Sequence, residues 1–183
     1  MLGVAFPSVL VAAQQGAAWA LTRLWEDLGP LVAGYLRTQG ARDPDDLTSE
    51  TFIGVFKAIA GFTGDERSFR SWVLVIAHRR LLDERRRHTR RPENAVQASV
   101  LADVAGGDAE TDAMDAVQQG AVREALATLS DDQRAVLTLR IMGEFTVDEV
   151  ACIVGKRPGA VKALQRRGLV RLRTILSEEG ALL

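Results

Sequence analysis

Apolar residues recur at helical spacing in two neighbouring segments, and this periodicity limits the possible folds of the chain more than any other feature. In the first segment, Phe52, Val55, Phe56 and Ile59 occupy positions i, i+3, i+4 and i+7. The segment from Phe69 to Ile76 repeats the pattern, which places the apolar side chains on one face of a helix. No segment of useful length alternates apolar and polar residues as a half-buried strand does. The sequence therefore predicts an all-α fold.

Turn and capping signals place the boundaries of the N-terminal helices. An early helix is predicted from about residue 17 to residue 38. A turn over Arg42–Asp46 then supplies the N-cap of a helix that begins near Leu47. Two glycines in Gly61–Asp65 predict a loop between the two amphipathic helices.

Charge is segregated along the chain, although 23 Lys and Arg nearly balance 24 Asp and Glu. Residues 67–91 hold nine Arg against two acids, residues 92–132 hold nine acids against one Arg, and residues 156–173 hold seven bases and no acid. Two basic segments separated by an acidic one are typical of a polyanion-binding protein with a linker. Solvated helix faces, or an Arg-rich composition without function, would give a similar pattern for one segment taken singly.

The central segment loses helical periodicity and contains a Gly-Gly pair, which indicates a linker between two helical units. We therefore expect a first domain over residues 1–91, an acidic linker over 92–116, and a second domain over 117–183. A length of 183 residues fits two small domains and excludes a large multidomain enzyme.

The apolar N-terminal segment is neither a secretory signal nor a membrane span by its pattern. No basic residue precedes Arg23, and the polar residues Gln14 and Gln15 interrupt the stretch. We expect a cytoplasmic protein with a frayed or weakly helical leader. A single cysteine, Cys152, excludes an internal disulfide, and no metal or cofactor site is predicted.

The C-terminal basic segment has the pattern of a helix-turn-helix. Thr146 and Glu149 form a capping box, Gly155 ends that short helix, and Pro158 begins a longer one that runs to about residue 176. In such a pair the second helix enters the major groove of DNA. Cys152 is expected on the buried side of the first helix.

Basic and polar side chains on the second helix are suited to DNA. Lys162, Gln165 and Arg166 share one face, and Gln or Arg can pair with base edges. Lys156 and Arg157, in the turn, are expected to contact phosphates.

The N-terminal basic helix combines an apolar stripe with an Arg-rich face that could follow a phosphate backbone. The loop Phe62–Arg67 before it could form a pocket for an unstacked base. Acidic residues cluster at the start of the preceding helix, at Asp43, Asp45, Asp46 and Glu50. They either cap the helix and complement its dipole, or contact a basic protein partner.

Several of these segments together resemble the bacterial extracytoplasmic-function sigma factors, in the superfamily of the primary sigma factors. Asp45–Phe52, Ser68–Ala77 and Leu82–Arg87 are similar to the second conserved region of that family. Ala125–Leu137 and Gly159–Arg167 are similar to the fourth. The two blocks occur in the order and spacing of the family, over about residues 17–91 and 117–176.

The resemblance implies a non-enzymatic subunit that binds core RNA polymerase and directs promoter-specific initiation. Asp46, Glu50 and Thr51 would contact the clamp helices of the largest catalytic subunit. The residues implied at promoter DNA are Arg67, Arg79, Arg80 and Arg86 for the melted minus-ten element, and Lys162, Gln165 and Arg166 for the minus-thirty-five element as duplex. The linker would thread towards the active-site channel, and an anti-sigma factor would be a possible partner.

The chain departs from the common pattern of the family at a few positions. Ser49 stands where many relatives have Gln, and Gly54 stands where a basic residue is frequent. Leu164-Gln165 replaces a common Arg-Leu, so base preferences do not transfer.

Other functions remain open at this level. A free-standing regulator would bind duplex DNA as a dimer, but long heptad segments for a dimer seam are absent and the N-terminal domain would be unexplained. An enzyme has little support, because His78 and His88 both lie in the Arg-rich helix without a catalytic constellation. A purely structural helical adaptor would leave both basic segments unused.

Overall fold

The computed structural model describes residues 1–90 and 124–180. The main helices in these ranges are α1 (Phe6–Gln14), α2 (Ala18–Thr38), α3 (Pro44–Ala58), α4 (Glu66–Arg90), α5 (Asp131–Ile141), α6 (Val147–Val154) and α7 (Pro158–Gly180). Residues 124–127 are also helical, and 3-10 turns cover Gly3–Ala5 and Ile59–Gly61. No described residue lies in a strand, and the all-α prediction is confirmed. The predicted linker lies outside the described residues.

Helix α4 supplies the centre of the N-terminal bundle. Its apolar stripe comprises Phe69, Val73, Leu74, Ala77 and Leu81, each at most 1% exposed. Helices α2 and α3 pack against this stripe and against each other. Burying a large apolar side chain stabilises a fold by roughly 1.5–3 kcal/mol, so this stripe contributes strongly to the stability of the bundle.

Helix α3 begins three residues earlier than the sequence predicted. It starts at Pro44 because the carboxylate of Asp43 caps it, accepting a hydrogen bond from the backbone N–H of Asp46 at 2.8 Å. Proline suits the first turn, where an N–H has no partner inside the helix.

Of the two forms expected for the N-terminal leader, frayed or weakly helical, the structure shows a helix. Residues 6–14 form helix α1, and Phe6, Val9, Leu10 and Ala13 are buried against the bundle. These four residues follow the i, i+3, i+4, i+7 spacing of an amphipathic helix. The uniform apolarity of the segment hid this pattern, because its exposed positions are also apolar, as at Val4 and Val11.

Helices α5, α6 and α7 form the C-terminal bundle. Val136, Leu139, Val150 and Val161 are buried between them. Helix α7 approaches α5 closely at Gly168, where an added Cβ would lie 2.8 Å from the Cδ1 atom of Leu137. Glycine therefore sets the distance between these two helices.

The two bundles pack together and their buried side chains form one continuous core. Helix α4 contacts α6, and α2 contacts α5. Ion pairs cross the same boundary, among them Arg85 with Asp131 at 2.9 Å. The described helices do not include one long and apolar enough to cross a membrane.

A buried polar pair lies between α2 and α4. The Tyr35 hydroxyl and His78 Nδ1 are 2.7 Å apart, and both side chains are buried. Burial lowers the pKa of His78 from 6.5 to about 4, with a further lowering from nearby Arg85 and an opposing contribution from Asp132. His78 is therefore neutral in the folded chain, and a structural role explains a histidine that showed no catalytic partners in the sequence.

We expect acid to weaken the fold through His78. Its folded pKa lies below its unfolded pKa, so its contribution is complete above about pH 6.5 and is lost as pH falls towards 4. Each unit of pKa difference is worth roughly 1.4 kcal/mol of unfolding free energy. Denaturant unfolding across this pH range should give a flatter profile for His78→Gln than for the unaltered chain. His88→Gln is the control, because His88 is exposed on the same helix; an equal flattening in both variants would contradict the assignment.

Candidate nucleic-acid and polymerase interface

Helices α6 and α7 form a helix-turn-helix, as the sequence predicted. Thr146 and Glu149 form the capping box that begins α6, and Gly155 ends it with a left-handed φ of 64°. Buried Val150 and Val161 hold the two helices together. The turn thus directs α7 away from α6 with its basic side towards solvent.

The outer face of α7 presents the residues predicted to read DNA. Lys162 and Arg166 are exposed and Gln165 is half-buried beside them. Arg157, in the turn, is also exposed. Lys162, Arg166 and Arg157 form no ion pair with another described residue, so their positive charges are available to a polyanion.

Lys156 differs from its neighbours in the turn. Its ammonium group pairs with Asp132 of α5 at 2.8 Å, and its side chain is about one-third exposed. In this arrangement Lys156 ties the turn to the rest of the bundle.

The Arg-rich face of α4 lies on the other bundle. Arg79 is exposed, and Arg86 is exposed while pairing with Asp83 at 3.2 Å. Arg80 is half-buried and reaches Glu50 of α3 at 3.5 Å. Arg80, which the sequence predicted at DNA, therefore forms an ion pair with Glu50, which it predicted at core polymerase.

Gly54 makes room for this contact. A Cβ atom at Gly54 would lie 3.3 Å from Nη2 of Arg80, which is tighter than ordinary contact. A longer basic side chain at this position, as is frequent in the family that the sequence resembles, would crowd and repel the guanidinium. Glycine here is therefore matched to the course of Arg80 over α3.

The acidic cluster on α3 divides by role. Asp43 caps the helix, and Asp45 pairs with Arg37 at 3.4 Å. Asp46 is exposed and Glu50 is half-buried. Thr51 is fully buried, and its hydroxyl donates to the Leu47 carbonyl at 2.7 Å, so it faces away from any docking partner.

Two exposed apolar side chains lie on α3 or against it, and the sequence analysis missed both. Ile53 is 53% exposed and follows Asp46 and Glu50 at the spacing of one helical face. Trp25 of α2 is 38% exposed and packs against Phe52 of α3, with ring centroids 4.7 Å apart. Ile53 lies outside the apolar stripe of α3. An apolar residue at such a position is the sequence signal that could have predicted an exposed contact site.

The loop before α4 turns its aromatic residue inwards. The Phe62 ring lies 5.1 Å from the rings of both Phe69 and Trp72, measured between centroids. The carboxylate of Asp65 accepts a hydrogen bond from the Ser68 N–H at 2.8 Å and so begins α4. Thr63, Gly64 and Asp65 remain exposed at the tip.

Arg67, at the end of this loop, is paired across the boundary between the bundles. Its guanidinium donates from Nε and Nη2 to both carboxylate oxygens of Glu149, the second at 2.9 Å. The same carboxylate accepts the Thr146 N–H at 2.6 Å. Arg67, with further help from these capping bonds, lowers the pKa of Glu149 from 4.5 to about 2.

The Arg67–Glu149 pair gives a solution test of how the bundles meet. Because the folded pKa lies below the unfolded value, its stabilising contribution is complete above about pH 4.5 and is lost as pH falls to about 2. In Arg67→Ala, the Glu149 carboxyl resonance followed by NMR should titrate closer to 4.5. Arg79→Ala, also exposed on α4, should leave the titration unchanged. An unshifted titration in Arg67→Ala would contradict this contact.

The exposed free Cys152 corrects a further expectation. It lies on the solvent side of α6 rather than on the apolar side. The neighbouring Ala151, Ile153 and Val154 fill the buried positions instead. Among the residues that the structure describes, no group of His, Cys, Asp and Glu could hold a metal ion.

Two family models match the chain in regions that coincide with these surfaces. Sigma-70 region 2 matches residues 24–91, which include the acidic face of α3 and the Arg-rich face of α4. Sigma-70 region 4 matches residues 119–172, which include the helix-turn-helix.

Curated relatives align along most of the chain. The sigma factor BldN of Streptomyces coelicolor is 30% identical over 169 residues, which are 91% of this chain and 64% of BldN. ShbA of Streptomyces griseus is 28% identical, with 91% of this chain and 92% of ShbA covered. SigD of Mycobacterium tuberculosis is 28% identical over 94% of this chain and 84% of SigD. All three are extracytoplasmic-function RNA polymerase sigma factors.

Solved structures share the fold. CnrH, in complex with the cytosolic domain of CnrY, has a TM-score of 0.67 at 20% identity and covers 93% of this chain and 96% of its own. RpoE of Bartonella quintana, in complex with the anti-sigma factor NepR, has a TM-score of 0.68 at 19% identity over 85% and 96%. With both sigma regions in one chain and sigma-factor relatives over most of its length, this non-enzymatic initiation factor belongs to the extracytoplasmic-function sigma factors.

Proposed function

We propose that this chain binds core RNA polymerase and directs initiation at promoters by contacting a minus-ten and a minus-thirty-five element. The observation that carries the proposal is the presence of two separate basic surfaces on two sigma regions of one chain. Lys162 and Arg166 mark the first surface, and Arg79 and Arg86 mark the second; all four are exposed. A single duplex-binding regulator would use only the first surface.

The minus-thirty-five element is read by helix α7. Its N-terminal half enters the major groove, where Gln165 and Arg166 reach base edges and Lys162 adds positive charge. Arg157 contacts phosphate from the turn. Lys156 also contacts phosphate when its ion pair with Asp132 is replaced by one with DNA.

The minus-ten element is held as a melted strand by the loop Phe62–Arg67 and the outer face of α4. Exposed Arg79 and Arg86 neutralise phosphates. Arg80 also binds phosphate once its 3.5 Å ion pair with Glu50 breaks. Arg67 is engaged by Glu149 in the closed arrangement of the two bundles. Promoter engagement therefore separates the start of α6 from α4 and frees this guanidinium for DNA.

Core polymerase docks on the outer face of α3. Asp46 and Glu50 supply negative charge, and Ile53 supplies apolar contact area on the same face of α3. Trp25 adds exposed apolar surface where it packs against Phe52 of α3. An apolar centre with charged neighbours is the usual composition of a protein interface. Thr51 supports this face from beneath through its bond to the backbone of α3.

The remaining assignments follow from the family and from the sequence. We place the domains at residues 1–91 and 117–183 with a linker at 92–116 that runs towards the polymerase channel. The protein acts in the cytoplasm, beside polymerase, and an anti-sigma factor is a candidate partner, as NepR is for RpoE. The match to sigma-70 regions also supports a place in the superfamily of the primary sigma factors.

Run-off transcription tests the proposed function directly. Purified core polymerase from the same source transcribes sheared genomic DNA with and without this protein, and the RNA 5′ ends are mapped. New starts that share two spaced upstream elements are expected, and they identify the recognition sequence. No new starts, together with binding of duplex DNA by the protein in the absence of polymerase, would favour a free-standing regulator instead.

Arg166→Ala should reduce initiation at such a promoter about tenfold, since a bidentate base contact is worth roughly 1–3 kcal/mol. Core binding should be unchanged, because Arg166 lies on the other bundle from α3. Arg167→Ala is the matched control, since adjacent residues on a helix point about 100° apart. Run-off yield from templates with and without the minus-thirty-five element checks the assignment. Equal losses on both templates would remove the base-reading role of Arg166.

Asp46→Lys should weaken core binding about tenfold or more, because it reverses charge on the docking face. Fluorescence anisotropy with labelled protein and core polymerase measures the affinity, and a loss that shrinks at high salt is expected. Asp148→Lys makes the same change in net charge at an exposed residue of α6. If both variants bind core polymerase as the unaltered chain does, Asp46 serves only the helix dipole.

A further inference from the structure

The N-terminal segment Leu2–Gln14 touches both ends of the loop that we place at the minus-ten element. It precedes residues 24–91, the range that sigma-70 region 2 matches. We propose that this segment is a brace that sets the shape of the loop Phe62–Arg67 and thereby its selectivity among bases of the melted strand. The functional half of this inference rests on the proposed minus-ten role of the loop; the bracing half does not.

Gln14 holds the first end of the loop. Its side-chain amide donates from Nε2 to the carbonyl of Ile59 at 3.1 Å and to the carbonyl of Phe62 at 2.8 Å. The two N–H bonds of one amide group serve both acceptors. These carbonyls belong to the first residue of the 3-10 turn that leads into the loop and to the residue just after that turn, so one side chain of α1 fixes where the loop leaves the bundle.

Glu66 holds the second end of the loop. This residue lies in the first turn of α4, and its carboxylate accepts hydrogen bonds from two backbone N–H groups of the leader. Leu2 donates to Oε1 at 2.6 Å and Gly3 donates to Oε2 at 2.9 Å. Hydrogen bonds to an ionised acceptor are stronger than neutral ones, so this anchor adds to the Gln14 contacts.

Aromatic packing connects the two anchors. Phe6 of α1 lies with its ring centroid 5.5 Å from that of Phe69, and Phe69 in turn contacts Phe62. Such ring pairs add about 0.5–1.5 kcal/mol beyond the area that they bury. The first residue of the loop is therefore held inwards by a cluster that α1 completes.

The exposed tip of the loop projects from these anchored ends. Thr63, Gly64 and Asp65 are exposed, and Gly64 has a φ of 153°. A Cβ atom at Gly64 would lie 3.1 Å from the Phe62 ring and from Cβ of Ser68. The tip thus fits tightly over Phe62. A shift of the anchored ends of the loop would therefore change the surface that a nucleotide meets.

Gln14→Glu is the sharpest variant, because it keeps the shape of the side chain and replaces the donor by an acceptor opposite two carbonyls. Gln15→Glu is the matched control: it adds the same charge one residue away, on an exposed side chain. Gln14→Lys retains a hydrogen-bond donor of similar reach and should therefore keep much of the bracing that Gln14→Glu loses. Circular dichroism melting of all three confirms that they are folded under the assay conditions.

Hydrogen–deuterium exchange of the chain without polymerase tests the brace itself. The amides of Phe62 and Ser68, which are hydrogen-bonded at the two ends of the loop, should exchange about fivefold faster in Gln14→Glu than in Gln15→Glu, the effect of about 1 kcal/mol. Equal exchange in the two variants would overturn the brace. This result does not depend on whether the chain is active with polymerase.

Promoter selectivity tests the functional consequence. On the promoter found by run-off mapping, the ratio of initiation from the native minus-ten element to that from single-base variants should fall about fivefold in Gln14→Glu and stay constant in Gln15→Glu. Faster exchange with unchanged ratios would overturn the selectivity role. If the unaltered chain directs no starts at all, the proposed function fails, and the exchange experiment still decides whether the leader braces the loop.

Discussion

The burial of one face of α4 is the constraint on which the rest of the structure depends. Phe69, Val73, Leu74, Ala77 and Leu81 are almost completely removed from water, and α2, α3 and α6 all pack against this helix. The opposite face must then carry the Arg side chains, because it is the side left to solvent. A single helix thus sets the core of the first bundle, the position of its basic surface and the contact to the second bundle.

Charges at the surfaces proposed to bind DNA and polymerase are paired with other charged residues of the chain. Arg67 meets Glu149 of the helix-turn-helix, and Arg80 meets Glu50 of the predicted polymerase-docking face. Solvent reaches all four side chains, so salt weakens both pairs. Phosphates or a protein partner can therefore compete for these side chains, as the proposed contacts with promoter DNA and polymerase require.

The leader makes tertiary contacts that its sequence did not suggest. Its apolar positions follow helical spacing, yet apolar residues on the exposed side obscured the pattern. The contacts of Gln14 and Glu66 join backbone and side-chain groups separated by more than 40 residues in sequence. No local pattern predicts such contacts, because they depend on where α1 lies against α4.

Local sequence was sufficient for the helical class, for most helix boundaries and for the helix-turn-helix, because apolar periodicity, capping boxes and Gly155 act within a few residues. The sequence also placed Lys162 and Arg166 on one face of a helix, and both are exposed; their contact with DNA stays a prediction. The burial of Thr51, the exposure of Cys152 and Ile53, and the pairing of Arg67 with Glu149 were decided by the tertiary structure. Each depends on which helix faces are covered by distant segments, and the covering of faces is settled only when the whole chain packs.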